Sequence, residues 1–114
     1  MILSLKPGVS LAGLCPQIAM VVSGTVVPIF ASHGVAQVVI TSANDGSHGA
    51  NSLHFAGQAV DIRSKNIADV AKKRTILSEM KVALGVHFDV LLENLGGRNE
   101  HYHIEYQPRG PGWS

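Results

Sequence analysis

Side chains able to hold a metal ion gather in two short segments of this chain. The first is Ser52-Leu53-His54-Phe55-Ala56-Gly57-Gln58-Ala59-Val60-Asp61. It ends on a carboxylate set between Val60 and Ile62, and a lone carboxylate inside an apolar strand is costly to desolvate, so Asp61 should be paired or metal-bound. The second segment is Glu100-His101-Tyr102-His103-Ile104-Glu105-Tyr106. Read as a strand, it sends His101, His103 and Glu105 to one face and packs Tyr102, Ile104 and Tyr106 behind them. Two imidazoles beside a glutamate on one strand face form a natural zinc half-site. His54 and Asp61 are seven positions apart, an odd spacing that points them to opposite faces of a straight strand. They converge only if the chain bends between them, and Gly57 permits such a bend.

Three protein ligands of nitrogen and oxygen type leave a tetrahedral ion one vertex for water, which separates a catalytic zinc site from a structural one. Zinc lowers the pKa of its water to about 7 and polarises a carbonyl. A base must then take the water's proton and return it to the leaving amine. Glu100 and His101 both lie close enough in sequence to His103 to supply it. Manganese or another divalent ion could use the same ligands, because affinity order alone does not select zinc.

The pattern Ser-x-His-x-x-Gly-x-Ala-x-Asp, followed by Glu-x-x-His with His-x-His overlaid on it, resembles the zinc peptidases of the hedgehog/DD-peptidase fold. These include D-Ala-D-Ala carboxypeptidases and phage L-alanyl-D-glutamate endolysins. The likeness runs from Val39 to Tyr106, and Thr41-Ser42 is similar to the family's approach to its metal loop. Tyr102 stands where relatives often carry tryptophan. The resemblance implies zinc on His54, Asp61 and His103, Glu100 as general base, and His101 in the site as a stabiliser of the transition state. It further implies a peptidoglycan peptide as substrate, cut at an end or within a cross-bridge. A zinc-stabilised binding module without turnover is the alternative, and retention of Glu100 and His101 favours the enzyme.

The elements that must position these residues are legible in outline. Ser10 can cap a helix from near Leu11 toward Ser32, interrupted at Pro16 and kinked at Pro28, with His33-Gly34 as its stop. Val35 to Thr41 reads as a buried strand and Ser42 to Ser52 as a loop. Gln58 to Arg63 alternates as a second strand. Asn66 is the expected N-cap of a helix from Ile67 to about Leu84, burying Ile67, Val70, Ala71, Leu77, Met80 and Leu84. Phe88 to Glu93 and His101 to Tyr106 are two further strands, joined by a turn over Asn94 to Asn99. The tail from Gln107 onward, with its prolines and glycines, should be irregular. The order predicts an α+β fold, a small antiparallel sheet with helices packed on it, in one domain over residues 1–114.

Composition bounds the rest. Apolar residues make up 46% of the 114 residues and charged residues 15%, which supports a filled core and argues against long disordered tails. A net charge of +1 provides no strong field for nucleic acid. Lys72-Lys73-Arg74, the only basic run, reads as a solvated helix face. Cys15 is the only cysteine, which excludes an internal disulfide and a thiolate cluster and reads as a small hydrophobe. Ile18 to Ala31 is shorter than the roughly 20 residues a membrane span requires and is expected to be a buried core helix. Lys6-Pro7-Gly8 breaks the N-terminal apolar run, so no signal peptide is expected. The expected location is synthesis in the cytoplasm and action on the cell wall, as for a phage lysis enzyme.

Single histidines without partner spacing carry little weight. His33, His48 and His87 read as surface or capping residues, and Asp45 as the closure of an Asx-turn. Glu93 reads equally as an orienting group facing the second segment or as a strand-end charge. Glu105 reads as a salt-bridge partner at least as readily as a catalytic one.

Overall fold

A computed structural model describes residues 2–43 and 58–107. The β-branched and aromatic runs form five strands: β1 (Ile2–Leu5), β2 (Gln37–Ser42), β3 (Ala59–Arg63), β4 (Phe88–Glu93) and β5 (His101–Tyr106). They make one sheet in the order β1-β2-β3-β5-β4. β2, β3, β5 and β4 pair antiparallel, as expected, whereas β1 lies parallel to β2. The α+β class therefore holds, but the sheet is mixed. The segment Ile2 to Leu5 is expected only as an apolar run, not as a strand. Its ladder to β2, from Ile2 opposite Gln37 to Leu5 opposite Ile40, makes it a strand.

One face of the sheet is covered by helices. Val38 and Ile40 of β2, Val60 and Ile62 of β3, Val90 of β4, and Tyr102 and Ile104 of β5 join one core with Ile18, Val22, Val26, Phe30, Ile76 and Met80. Successive strand side chains alternate between faces, so Asp61, Arg63, His101, His103 and Glu105 are left on the other. The hydrophobic order of β3 and β5 thus turns the polar residues away from the core.

The first helical stretch departs from expectation in an instructive way. It begins at Pro16 rather than Leu11, with α1 over Pro16–Val21. Proline is suited to the first helical turn, where a missing N–H leaves nothing unpaired. Ser10 instead closes a turn by accepting from the Ala12 amide at 3.1 Å. Before Pro28 the helix widens into a π-helical stretch, Val22–Val26, and α2 follows over Val27–Ser32. The Val27 N–H reaches the Val22 carbonyl, so the ladder is re-spaced just ahead of the residue that cannot donate. Ile18, Val22, Val26 and Phe30, four apart, form the buried stripe, while Met20 is 70% exposed. The expected buried helix is amphipathic. It stops as expected at His33-Gly34, where Gly34 has φ 74° and its amide bonds the Ala31 carbonyl at 3.0 Å.

Helix α3 spans Val70–Leu84. Asp69, not Asn66, is its cap, accepting from the Ala71 amide at 2.9 Å. Asn66 donates to the Gln37 carbonyl at 2.9 Å and ties the approach to α3 onto β2. The buried face is Lys73, Ile76, Met80 and Leu84, whereas Val70 is 46% exposed. The basic run is therefore not a uniformly solvated face, because Lys73 lies within the apolar stripe. Cys15 is partly buried against the core. Among the described residues, no helix is long and apolar enough to cross a membrane.

Candidate functional site

The site is assembled by strand register. Asp61 of β3 lies opposite His103 of β5, and Arg63 lies opposite His101. On the other side of β5, His101 lies opposite Glu93 of β4. Two rows of charged and imidazole groups therefore cross the face turned away from the helices.

Within these rows the contacts are close. His103 Nδ1 lies 2.8 Å from Asp61 Oδ1, and its Nε2 lies 3.2 Å from Glu105 Oε1. Hydrogen bonding to Asp61 drives the His103 pKa up to about 9; burial opposes this, while Glu105 and the charges of Asp61 and Glu93 reinforce it. Anionic oxygens thus surround the imidazole strongly enough to hold a proton on it near neutral pH. His101 Nε2 lies 3.0 Å from Glu93 Oε1 and 3.6 Å from Asp61 Oδ1. Its Nδ1 contacts the Asn99 carbonyl, so both ring nitrogens are oriented. Behind this face Tyr102 is fully buried, packs edge-on against Phe30 at 5.9 Å, and donates to the Lys73 carbonyl at 2.6 Å. That anchoring fixes the part of β5 from which both histidines project.

Glu100 sits differently. It shares parity with Tyr102 and Ile104, and its partners come from the helix-covered side. Its Oε2 accepts from Ser64 Oγ at 2.5 Å and from Lys73 Nζ at 2.7 Å, and its Oε1 accepts from the Gly96 amide at 2.9 Å. Burial alone would raise the carboxyl pKa, but the hydrogen bonds from Lys73, Ser64 and Gly96 and the Lys73 charge outweigh it and bring it to about 2. The same burial, with the Glu100 charge, pushes the Tyr102 phenol up.

Of the residues named from the sequence, Asp61, His103 and His101 are therefore brought together, and Glu100 borders them from within a buried ion pair. His54 lies outside the described residues, as do Ser52, Gly57, His48 and Asp45. Glu93 joins the cluster. Asp61, Glu93 and His103 each offer one ligand atom, all within 4.8 Å of one another. Its sequence signal was its place at the end of an apolar strand. Lys73 had a clearer one, since positions 73, 76, 80 and 84 follow helical spacing.

The donor set is compatible with a divalent ion. It combines imidazole nitrogen with carboxylate oxygen, which zinc accepts, and carboxylates outnumber imidazoles around His103. Next to this cluster is a cleft of about 470 Å³ whose lining includes Thr41, Ser42, Asp61, Asn94, Asn99 and His101. Compared with protein-family models, curated proteins and solved structures, the chain matches none.

Proposed function

We propose that this chain is a zinc-dependent peptidase of the hedgehog/DD-peptidase type that hydrolyses an amide bond in bacterial cell-wall peptide. The observation that supports this reading best is the 2.8 Å approach of His103 to Asp61 across β3 and β5. Two residues 42 positions apart, both named as ligands from the sequence motif, meet on the face that the helices leave open.

In this reading Asp61 and His103 hold the ion, with His54 as the third ligand implied by the resemblance. Glu93 is near enough to ligate or to orient. A zinc ion bound there would supply an acidified water and a polarised carbonyl. The protein's own part is to bind, orient and move protons. The resemblance implies Glu100 as the general base. As held here, that carboxylate has both oxygens engaged and a pKa of about 2, which makes it a weak base. His101 is oriented by Glu93 and the Asn99 carbonyl at the edge of the cluster, and its role in this reading is to stabilise the transition state. Glu100 then anchors the start of β5 and takes part in proton transfer only if a donor leaves it.

The buried Lys73–Glu100 pair also favours a second reading, a metal-stabilised binding module, because it gives Glu100 a structural reason to be present. Zymography on purified cell wall separates these. Wild type is expected to clear, and His101→Ala to lose clearing while keeping its zinc. Glu100→Gln, checked for folding, shows whether the carboxylate is also needed. Absence of clearing by wild type with zinc bound would favour the binding module; absence of zinc binding would remove the metal reading itself.

A further inference from the structure

The sheet has two outer strands, β1 and β4, and they are not alike. β4 carries Asp89 and Glu93, whereas β1 is Ile2-Leu3-Ser4-Leu5, without charge or proline. An edge strand presents unpaired amides and carbonyls to any extended chain, and charges, prolines or bulges are the usual protection against this. β1 has none of the three, since its register with β2 is unbroken from Ile2 to Leu5. On its inner side the Ile2 amide bonds the Ala36 carbonyl at 3.0 Å, and the Lys6 amide bonds the Ile40 carbonyl at 2.9 Å. Residues 2, 4 and 6 therefore turn their backbone toward β2, and Leu3 and Leu5 turn theirs outward. Among the described residues, nothing bonds those outward groups.

The side chains of β1 are equally unprovided for. Leu3 and Leu5 lie opposite Val38 and Ile40 and so share the helix-covered face. Val38 and Ile40 are buried, yet Leu3 and Leu5 are 44% and 41% exposed, so the helix layer stops short of β1. We infer that β1 pairs antiparallel with β1 of a second copy of this chain, about a twofold axis at Ser4. The segment is self-complementary around that residue. Leu3 of each copy faces the partner's Leu5, each such pair exchanges two backbone hydrogen bonds, and the four leucines close one apolar strip. A contact of this kind uses the same patch on both copies. The equivalent pairing at β4 would set Asp89 against the partner's Glu93, which is unfavourable. Lys6 falls opposite the partner's Ile2, and Lys6 lines the cleft that holds Asp61 and His101, so the interface ends beside that cleft. So short a ladder buries less than the roughly 1,200 Å² of a standard interface, and the dimer therefore dissociates on dilution. The inference depends neither on a metal nor on peptidase activity.

Sedimentation velocity of the full chain across a dilution series, with NMR amide exchange at both ends of it, tests this. Wild type is expected to pass from dimer to monomer on dilution, with the Leu3 and Leu5 amides protected only in the dimer. The Ile2, Ser4 and Lys6 amides should be protected in both forms. Leu3→Glu/Leu5→Glu and Leu3→Lys/Leu5→Lys should each weaken dimerisation about tenfold or more. Mixing the two variants should restore a dimer, because the register sets every glutamate against a lysine. The wild-type exchange measurement decides the matter if a variant does not fold. A wild type that is monomeric at every concentration, a dimer that survives in both folded double variants, or a mixture of folded variants that stays monomeric would each overturn the inference. Protection of the Leu3 and Leu5 amides in the monomer would also overturn it and assign the edge to another segment of the chain.

Discussion

Lys73 of α3 and Glu100 at the start of β5 form an ion pair of 2.7 Å with side chains only 10% and 3% exposed. Ser64 and the Gly96 amide complete the acceptor bonds of the carboxylate, and no buried side-chain polar atom among the described residues lacks a partner. The pair joins the helix layer to the turn that precedes the two histidines. Its effect on the site is therefore positional, carried through the backbone of residues 100 and 101.

Breaking this pair from one side should be costly. Lys73→Met leaves a buried carboxylate uncompensated and is expected to destabilise the fold by about 3–5 kcal/mol. Lys73→Met/Glu100→Leu removes both charges and should recover most of that loss, since the desolvation cost disappears with them. Urea denaturation of wild type, single and double variants measures both effects. Additive losses in the double variant would show that the pair does not couple α3 to β5.

The acid limb of stability should report the same carboxylate. The Glu100 pKa is lowered from 4.5 to about 2 in the folded protein. A depressed folded pKa contributes stability that is fully present above the unfolded value and lost as the group protonates. The contribution should therefore hold above pH 4.5 and fade between pH 4.5 and 2. Urea midpoints across this window should fall more steeply for wild type than for Glu100→Gln. Parallel curves would mean that Glu100 is not the group being titrated.

Metal binding should displace a proton from His103. Its pKa of about 9 leaves the imidazole protonated at pH 7 without metal, while a ligating imidazole must be neutral. Zinc binding at pH 7 is therefore expected to release about one proton from this residue. Calorimetry in buffers of different ionisation enthalpy measures it, with His103→Gln as the comparison. Zinc affinity that does not rise between pH 6 and 8, or equal proton release from the variant, would count against His103 as a ligand. Asp61→Asn should weaken zinc binding as well and, by removing the main cause of the raised pKa, make binding less dependent on pH.

Much of this arrangement was legible before any fold was built. Alternation in Ala59 to Arg63 and in His101 to Tyr106 places the polar side chains on one face because Val60, Ile62, Tyr102 and Ile104 must be buried on the other. The bounds of β5 follow from that alternation, and the stop at Gly34 from its lack of a side chain. Local chemistry also marks Pro28 as a disturbance, although the widened turn that accommodates it depends on the buried stripe from Ile18 to Phe30. Competing caps are harder to read. Asn66 and Asp69 both suit an N-cap, and Asn66 was withdrawn from that role by a hydrogen bond to Gln37, 29 positions away.

By itself, then, the sequence determined the residue types of the candidate site, the faces from which they project, and an α+β arrangement, since these rest on local periodicity and side-chain chemistry. Only the tertiary structure decided the parallel pairing of β1, its place at the edge of the sheet, and the partnership of Glu100 with Lys73. Those outcomes depend on which distant segments come into register and exclude water together, and no spacing along the chain encodes that.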